Sequence, residues 1–563
     1  MLKSLAKHLQ SIQQKLIWQN LPGLNLRVLS LGLLTLLAIF IALTFDQHGI
    51  SNDEEVQHVY GRLLLQFYKS GFVDQDAFHY RNLYLYGGFF DLIAAMLEHI
   101  VPIWVWDMRH LLSALFGLAG IVASYKIARI LGGERAGFIV IVLLAITGAW
   151  SGAMFTHTKD IPFGTCMVWA LYYTILIAQQ LPKPKLGISI KLGIAVGCGL
   201  GMRIGGVFAV FYLLMMIGIA GWVSGSTIRE RIYFWFSCIK PLIPAAIVAF
   251  ILMAIFWPWG VMAPDHPLEA AKAFSHFAFN MLTVMDGEVM NIGQVPREYL
   301  PEYLFVRLPE VFLLGLISAV VVFLLRFKLL KTNRFDDQHP LFIGFISVFT
   351  AAAFPLAFIL LDKPALYNGV RHFTFLLPPL AIIAALGIHF AINALRHWPK
   401  LRLGFITLCW LLVINTSCVL IQLHPYEYIY YNYFAGDLSD AEKDWESDYW
   451  SSSLREASDM LEDKVTEMAK SDPSIDAHLK QMPYTVAICA EALQGSAYLD
   501  QRFVVTTDWV KADFFISSTN MNCDKVLKGK IIGEVERMGA VLAVVKDRRD
   551  LPPALRRPRP APK

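Results

Sequence analysis

Charge is scarce in this chain: of 563 residues, 17% are charged against 56% hydrophobic, and the mean hydropathy is +0.49. That balance excludes both an ordinary soluble domain and a disordered chain, and identifies a polytopic membrane protein. Cysteine is rare too, with seven residues and no zinc-ligand spacing. A phosphate-binding loop and a dinucleotide fingerprint are both missing, so no nucleotide site is expected. The halves show no internal repeat, and a net charge of +4 gives no nucleic-acid signal. Met1–Asn20 is polar, basic and amphipathic, unlike a cleavable signal peptide, so the first span is expected to remain as an anchor.

Apolar length is what the chain has. A bilayer core takes roughly 20 apolar residues per helix, and about eleven segments qualify by hydropathy windowing. They are Val28–Phe45, Leu111–Leu131, Ala136–Phe155, Phe163–Leu181, Leu186–Gly201, Ile204–Trp222, Pro241–Trp257, Val311–Leu325, Leu341–Leu361, Phe373–Ala394 and Leu403–Gln422. Basic residues cluster in alternate connections: Lys3, Lys7, Lys15 and Arg27, then Lys126, Arg129 and Arg135, then Lys183 and Lys185. Arg229 and Arg231 continue the series, followed by Arg326, Lys328, Lys331 and Arg334, and by Arg396, Lys400 and Arg402. The positive-inside rule makes these cytoplasmic and puts the residues after Gln422 outside.

The expected fold class is an α-helical polytopic membrane protein with a small C-terminal extracytoplasmic α/β or α+β domain. Residues 1–27 form a cytoplasmic amphipathic N-terminus, and 28–422 the membrane domain, with large outer loops at 46–109 and 258–309. Residues 423–547 form the soluble domain, and 548–563 a basic, proline-rich, disordered tail. Within the first outer loop, Glu54–Lys69 and Leu83–His99 are amphipathic and expected along the membrane surface. The alternative for the second stretch is a true span. Asp437–Met468 reads as helical with a loop, and Tyr484–Cys489, Arg502–Thr506 and Val541–Val545 as strands. Tyr426, Tyr428, Tyr430, Tyr431, Tyr433, Tyr449 and Trp450 are read as interfacial aromatics, with sugar stacking as the alternative.

The polar residues of interest share the outer side. Asp53-Glu54-Glu55 follows the first span, and Lys159-Asp160 follows the third. Arg203 interrupts a glycine-broken tract, and leaving it at the bilayer centre would cost about 2.5–3.5 kcal/mol, so an outer turn is expected there. Snorkelling to the interface is the alternative. Asp362, Lys363, Tyr367, Arg371 and His372 precede another span, where cations can hold a phosphate at headgroup depth. Prolines 264, 267, 296, 301 and 309 mark the 258–309 loop as surface-lying segments or a lid. Five cysteines lie in or beside spans, whereas Cys489 and Cys523 fall in the external part, where an oxidising compartment permits a disulfide.

Two outward-facing carboxylates and a cationic clamp, without a nucleotide site, fit an activated donor that arrives in the lipid, such as a polyprenyl-phosphate sugar. One carboxylate removes the proton of an attacking hydroxyl, while a guanidinium or metal stabilises the leaving phosphate. The motifs Asn52-Asp53-Glu54-Glu55, His157-Thr158-Lys159-Asp160-Ile161-Pro162-Phe163 and Arg371-His372-Phe373 before Leu377-Pro378-Pro379 resemble those of the GT-C glycosyltransferases. The likeness is to the branch of the protein O-mannosyltransferases and the aminoarabinose lipid A transferase (glycosyltransferase family 39-like). It covers most of Val28–Gln422, and Tyr430-Tyr431-Asn432 through Asp448-Tyr449-Trp450 is also similar to members of that branch.

The resemblance implies inverting transfer to a glycan, lipid or protein hydroxyl, with Asp53 as base or acceptor-orienting group, Glu54 as its motif partner and Asp160 as the second-loop carboxylate. Three adjacent acids leave the choice among Asp53, Glu54 and Glu55 open. Arg371, His372, Lys159 and Arg203 are the candidate donor-phosphate ligands. Relatives with and without a divalent metal leave metal dependence open, with Asp53 and Asp160 as candidate ligands. A bacterial cytoplasmic membrane with an outward-facing site is expected. The alternative function is a transporter or flippase of a lipid-linked or small polar substrate.

Overall fold

The computed structural model describes residues 25–225, 227–275, 281–330, 339–362, 364–436, 438–479, 481–552 and 555–556. The expectations for 1–24, Lys363, 331–334 and 557–563 lie outside them. Eight helices among the described residues are long and apolar enough to cross a membrane, or nine if the bent pair Tyr299–Arg307 and Glu310–Leu325 is one span.

The chain enters through α1 (Leu26–Thr44), followed by α2 (Glu54–Lys69) and α3 (Phe89–Leu97) in the first large loop. At nine residues α3 is too short to span, so the second amphipathic stretch belongs to the loop. Helix α4 (Val105–Ala145) contains two traverses. Gly133 breaks it at φ 77° and ψ −173°, a conformation that favours glycine. Beyond the break, the Trp150 indole N–H donates to the Gly117 carbonyl at 3.2 Å, so the return limb runs back beside the first. The expected segments Leu111–Leu131 and Ala136–Phe155 therefore fall on the two limbs either side of Gly133, the second running on past the end of α4.

The bundle continues with α5 (Asp160–Ala178), the short apolar α6 (Leu186–Leu200), α7 (Val207–Ser224) and α8 (Ile228–Phe256). Next comes the hairpin of β1 (Leu282–Met285) and β2 (Glu288–Asn291), then α9 (Tyr299–Arg307), α10 (Glu310–Leu330), α11 (His339–Asp362), α12 (Leu377–Ala394) and α13 (Pro399–Leu423). Burial separates centre from periphery. The windows of the α5 and α12 spans are 78% and 83% buried, whereas those of α8 and α13 are 11% buried and turn apolar surface outward. The later part of the proline-rich 258–309 loop, from β1 to α9, is packed in place: Tyr299 and Tyr303 of α9 are buried, and Thr283 of β1 donates to Glu446.

After α13 the chain forms α14 (Leu454–Ser471) and five strands, β3 (Tyr484–Cys489), β4 (Phe503–Val505), β5 (Phe514–Ser518), β6 (Lys530–Arg537) and β7 (Ala540–Asp547). Their order is β4-β3-β5-β7-β6, parallel across β4, β3 and β5 and antiparallel across β5, β7 and β6. Leu454, Ala457, Leu461 and Val465 form the buried stripe of α14, which packs against the sheet. Cys489 and Cys523 are disulfide-bonded, closing a 34-residue separation.

Two expectations need correction here. The tail does not begin at Arg548, because that side chain is fully buried and its Nε donates to the Lys528 carbonyl at 2.9 Å. Arg549 likewise pairs with Asp547 at 2.7 Å. The aromatic cluster is not interfacial either: Tyr426, Tyr428, Tyr430, Tyr431, Tyr449 and Trp450 are buried between bundle and sheet domain, and of the set Tyr433 stays exposed. Their hydroxyls find protein partners, as in Tyr426 to Glu456 at 2.9 Å and Tyr431 to the Glu446 carbonyl at 2.7 Å.

Candidate active site

Four chain breaks at one end of the bundle carry the site. Asp53 occupies the N-cap position of α2, but its carboxylate caps nothing and is free to reach elsewhere. Asp160 lies in the first turn of α5, where the helix dipole favours an anion. Arg203 lies in the break between α6 and α7, and Arg371 opens the short 3-10 turn leading into α12. The two most buried spans thus present Asp160 and Arg371 from rigid helix starts.

These side chains form one ionic chain. Arg371 donates through Nε to Asp160 at 3.1 Å and through a terminal nitrogen to Asp53, while Arg203 binds the other oxygen of Asp160. Asp160 is almost fully buried, whereas the Asp53 side chain keeps 33% exposure. Lys159, also buried, sets its ammonium 3.5 Å from the centre of the Tyr86 ring. Burial and the Arg203 guanidinium lower its pKa to about 8.

His157 completes the wall. Burial lowers its pKa to about 3, so the ring is neutral, and its Nε2 receives the Trp450 indole N–H at 2.9 Å. The ring of Trp450 lies 4.1 Å from the Arg371 guanidinium carbon. Asp53, Gln57, Thr156, His157, Thr158, Lys159, Asp160, Arg371 and Trp450 line a narrow cleft with no room for a water-sized molecule.

The expected residues divide. Asp53, Asp160, Arg203, Arg371 and Lys159 converge. Glu54 turns away, because successive helical residues point about 100° apart. Its fully buried carboxylate instead accepts the Ser51 N–H at 2.8 Å and meets His110 Nε2 at 3.1 Å and Arg109 Nε at 3.8 Å. Arg109 in turn binds Asp91 at 2.9 Å. His372 packs edge-on to Tyr367 at 4.5 Å and is not among the cleft-lining residues. Asp53 and Asp160 meet the guanidinium of Arg371, a donor set that does not fit a divalent ion. Among the described residues, no three His, Cys, Asp or Glu side chains gather as a metal site.

Sequence reasoning missed Gln57, His157 and Trp450 as site residues. Gln57 was findable, since it lies one helical turn beyond Asp53; it accepts the Thr158 hydroxyl at 2.7 Å. His157 and Trp450 stood within the motifs that carry the family resemblance, but nothing local distinguishes a buried aromatic from an interfacial one.

Residues 105–259 match the family described as dolichyl-phosphate-mannose-protein mannosyltransferase. That stretch includes Lys159, Asp160 and Arg203, and excludes Asp53 and Arg371. The matched stretch is 155 of the chain's 563 residues. No curated protein matches the sequence. Among solved structures, the chain is similar to ArnT from Cupriavidus metallidurans bound to undecaprenyl phosphate, at 13% identity and TM-score 0.46, covering 92% of this chain and 97% of that one. It is also similar to the oligosaccharyltransferase AglB from Archaeoglobus fulgidus in complex with an inhibitory peptide and a dolichol-phosphate. There the identity is 12% and the TM-score 0.44, covering 93% and 75% of the two chains.

Proposed function

We propose that this protein is an inverting glycosyltransferase that moves a sugar from a polyprenyl-phosphate donor to an acceptor hydroxyl at the outer face of a bacterial cytoplasmic membrane. The observation that carries the reading is a one-third-exposed carboxylate, Asp53, bridged through Arg371 to the buried Asp160, with Arg203 and Lys159 beside them. Basic connections at the opposite ends of the helices support the orientation.

The charges suit the chemistry. Three cations against two carboxylates leave room for one negative charge, that of a phosphodiester donor. In the reaction an acceptor oxygen bonds to the anomeric carbon as the bond from that carbon to the phosphate oxygen breaks. The hydroxyl proton passes to Asp53, which is accessible enough to receive it. The released lipid phosphate carries the added charge, and Lys159 and the guanidinium groups stabilise it as it develops. Asp160, saturated by two arginines, orients them. As it stands the cleft has no room for even a water-sized molecule, far less than the roughly 300 Å³ at which ligand pockets begin, so donor entry widens it.

The test incubates purified protein in lipid with radiolabelled polyprenyl-phosphate sugars and a membrane extract, beside Asp53→Asn. Transfer to an acceptor by the unaltered protein, lowered at least about 100-fold in the variant, is expected. Donor crossing the bilayer without transfer would establish a flippase instead.

A further inference from the structure

We propose that the C-terminal domain is a working part of this site, with Trp450 as a positioning residue that holds the Arg371 guanidinium between Asp53 and Asp160. The inference rests on the transferase reading for its kinetic arm alone.

Three sets of contacts lead to it. Trp450 is buried with its ring against the guanidinium face at 4.1 Å, while the guanidinium edges bind the two carboxylates. Its N–H to His157 fixes the tilt of the indole. Arg371 is therefore held in its plane by carboxylates and across its plane by an aromatic face, so its donors cannot rotate away from either partner.

The loop that delivers Asp53 is fastened to the same domain. Gln494 Nε2 donates to the carbonyls of Trp450 at 2.6 Å and of Ile50 at 2.8 Å, tying the two segments through one buried amide. Asn52 donates to the Tyr449 carbonyl at 3.1 Å, the Tyr498 hydroxyl accepts the Ile50 N–H at 3.0 Å, and Arg455 donates to the His48 carbonyl at 3.0 Å. Gly49 lies so close to the Ser452 backbone that a Cβ would collide with it.

The 448–453 segment is itself rigid. The buried Asp448 carboxylate accepts the N–H groups of Ser452 and Ser453 at 3.1 and 2.9 Å, the Ser453 hydroxyl at 2.5 Å and the Tyr428 hydroxyl. One segment of the C-terminal domain thus sets both the Asp53 loop and Arg371.

The experiment compares Trp450→Ala, Trp450→Phe and Arg371→Ala, singly and with Trp450→Ala combined with Arg371→Ala, in the full chain. Trp450→Ala is expected to raise the donor KM about 30-fold, the scale of a desolvated cation–π contact, with a smaller change in kcat, and Trp450→Phe to restore most of the loss. In the Arg371→Ala background the same change should cost under about threefold, because the two residues act as a unit. Additive losses, or an unchanged KM in Trp450→Ala, would overturn the proposal. A second readout needs no donor: hydrogen–deuterium exchange at 46–53 should rise in Gln494→Ala, and unchanged protection there sinks the tether whether or not the protein transfers sugar. Failure of the unaltered protein to transfer any sugar counts against the transferase reading only.

Discussion

Lys159 shows how position changes a side chain. Burial and the neighbouring Arg203 bring its pKa down to about 8, against the pull of Asp53 in the other direction. The ammonium is therefore present below about pH 8 and lost above it. If it holds the donor phosphate, kcat/KM for the donor falls on the alkaline side with a midpoint near 8, since that ratio reports the free enzyme. In Lys159→Arg the falling limb should shift to higher pH, because a guanidinium stays charged. A pH profile that is flat from 7 to 9 in the unaltered protein would remove Lys159 from the phosphate site. Asp53 and Asp160 differ by position too: the Asp53 side chain keeps 33% exposure, while Asp160 is locked between Arg203 and Arg371.

At the scale of elements, α2 carries two functions on two faces. Its Asp53 and Gln57 side looks into the cleft, and its Glu54 side locks the helix to α4 through His110 and Arg109. Removing one member of a buried ionic set leaves the others uncompensated, so Glu54→Ala should cost about 3 kcal/mol of stability. Asp53→Asn should cost little. Thermal unfolding of the two variants in detergent checks this, and equal midpoints would mean that Glu54 does not anchor the helix. The acidic run and its place after the first span were legible in the sequence. Which acid faces which way was not, because it depends on the rotation of α2 against α4. The strands divide similarly: β3, β4 and β7 follow expected segments, whereas β5, fully buried on both faces, shows no alternation to find.

For the whole molecule, the sheet domain closes over the bundle, and its disulfide bears on how firmly it does so. A cross-link spanning 34 residues restricts the unfolded chain and stabilises by about 4 kcal/mol. Cys489→Ser should therefore lower the unfolding midpoint of the domain to that of the unaltered protein under reductant, and reductant should not lower it further. A midpoint in the unaltered protein that ignores reductant would show that the cross-link contributes nothing to stability.

The sequence by itself determined the membrane class, the positions of the apolar segments and the gathering of acidic and basic motifs at their ends, because hydropathy and charge act through local composition. The tertiary structure decided the rest: that Arg371 bridges Asp53 and Asp160, that Glu54 is anchored elsewhere, and that Trp450 from the far end of the chain roofs the cleft. Those pairings join residues separated by up to 318 positions, and only packing, which fixes helix rotation and the docking of one domain on another, brings such residues within bonding distance.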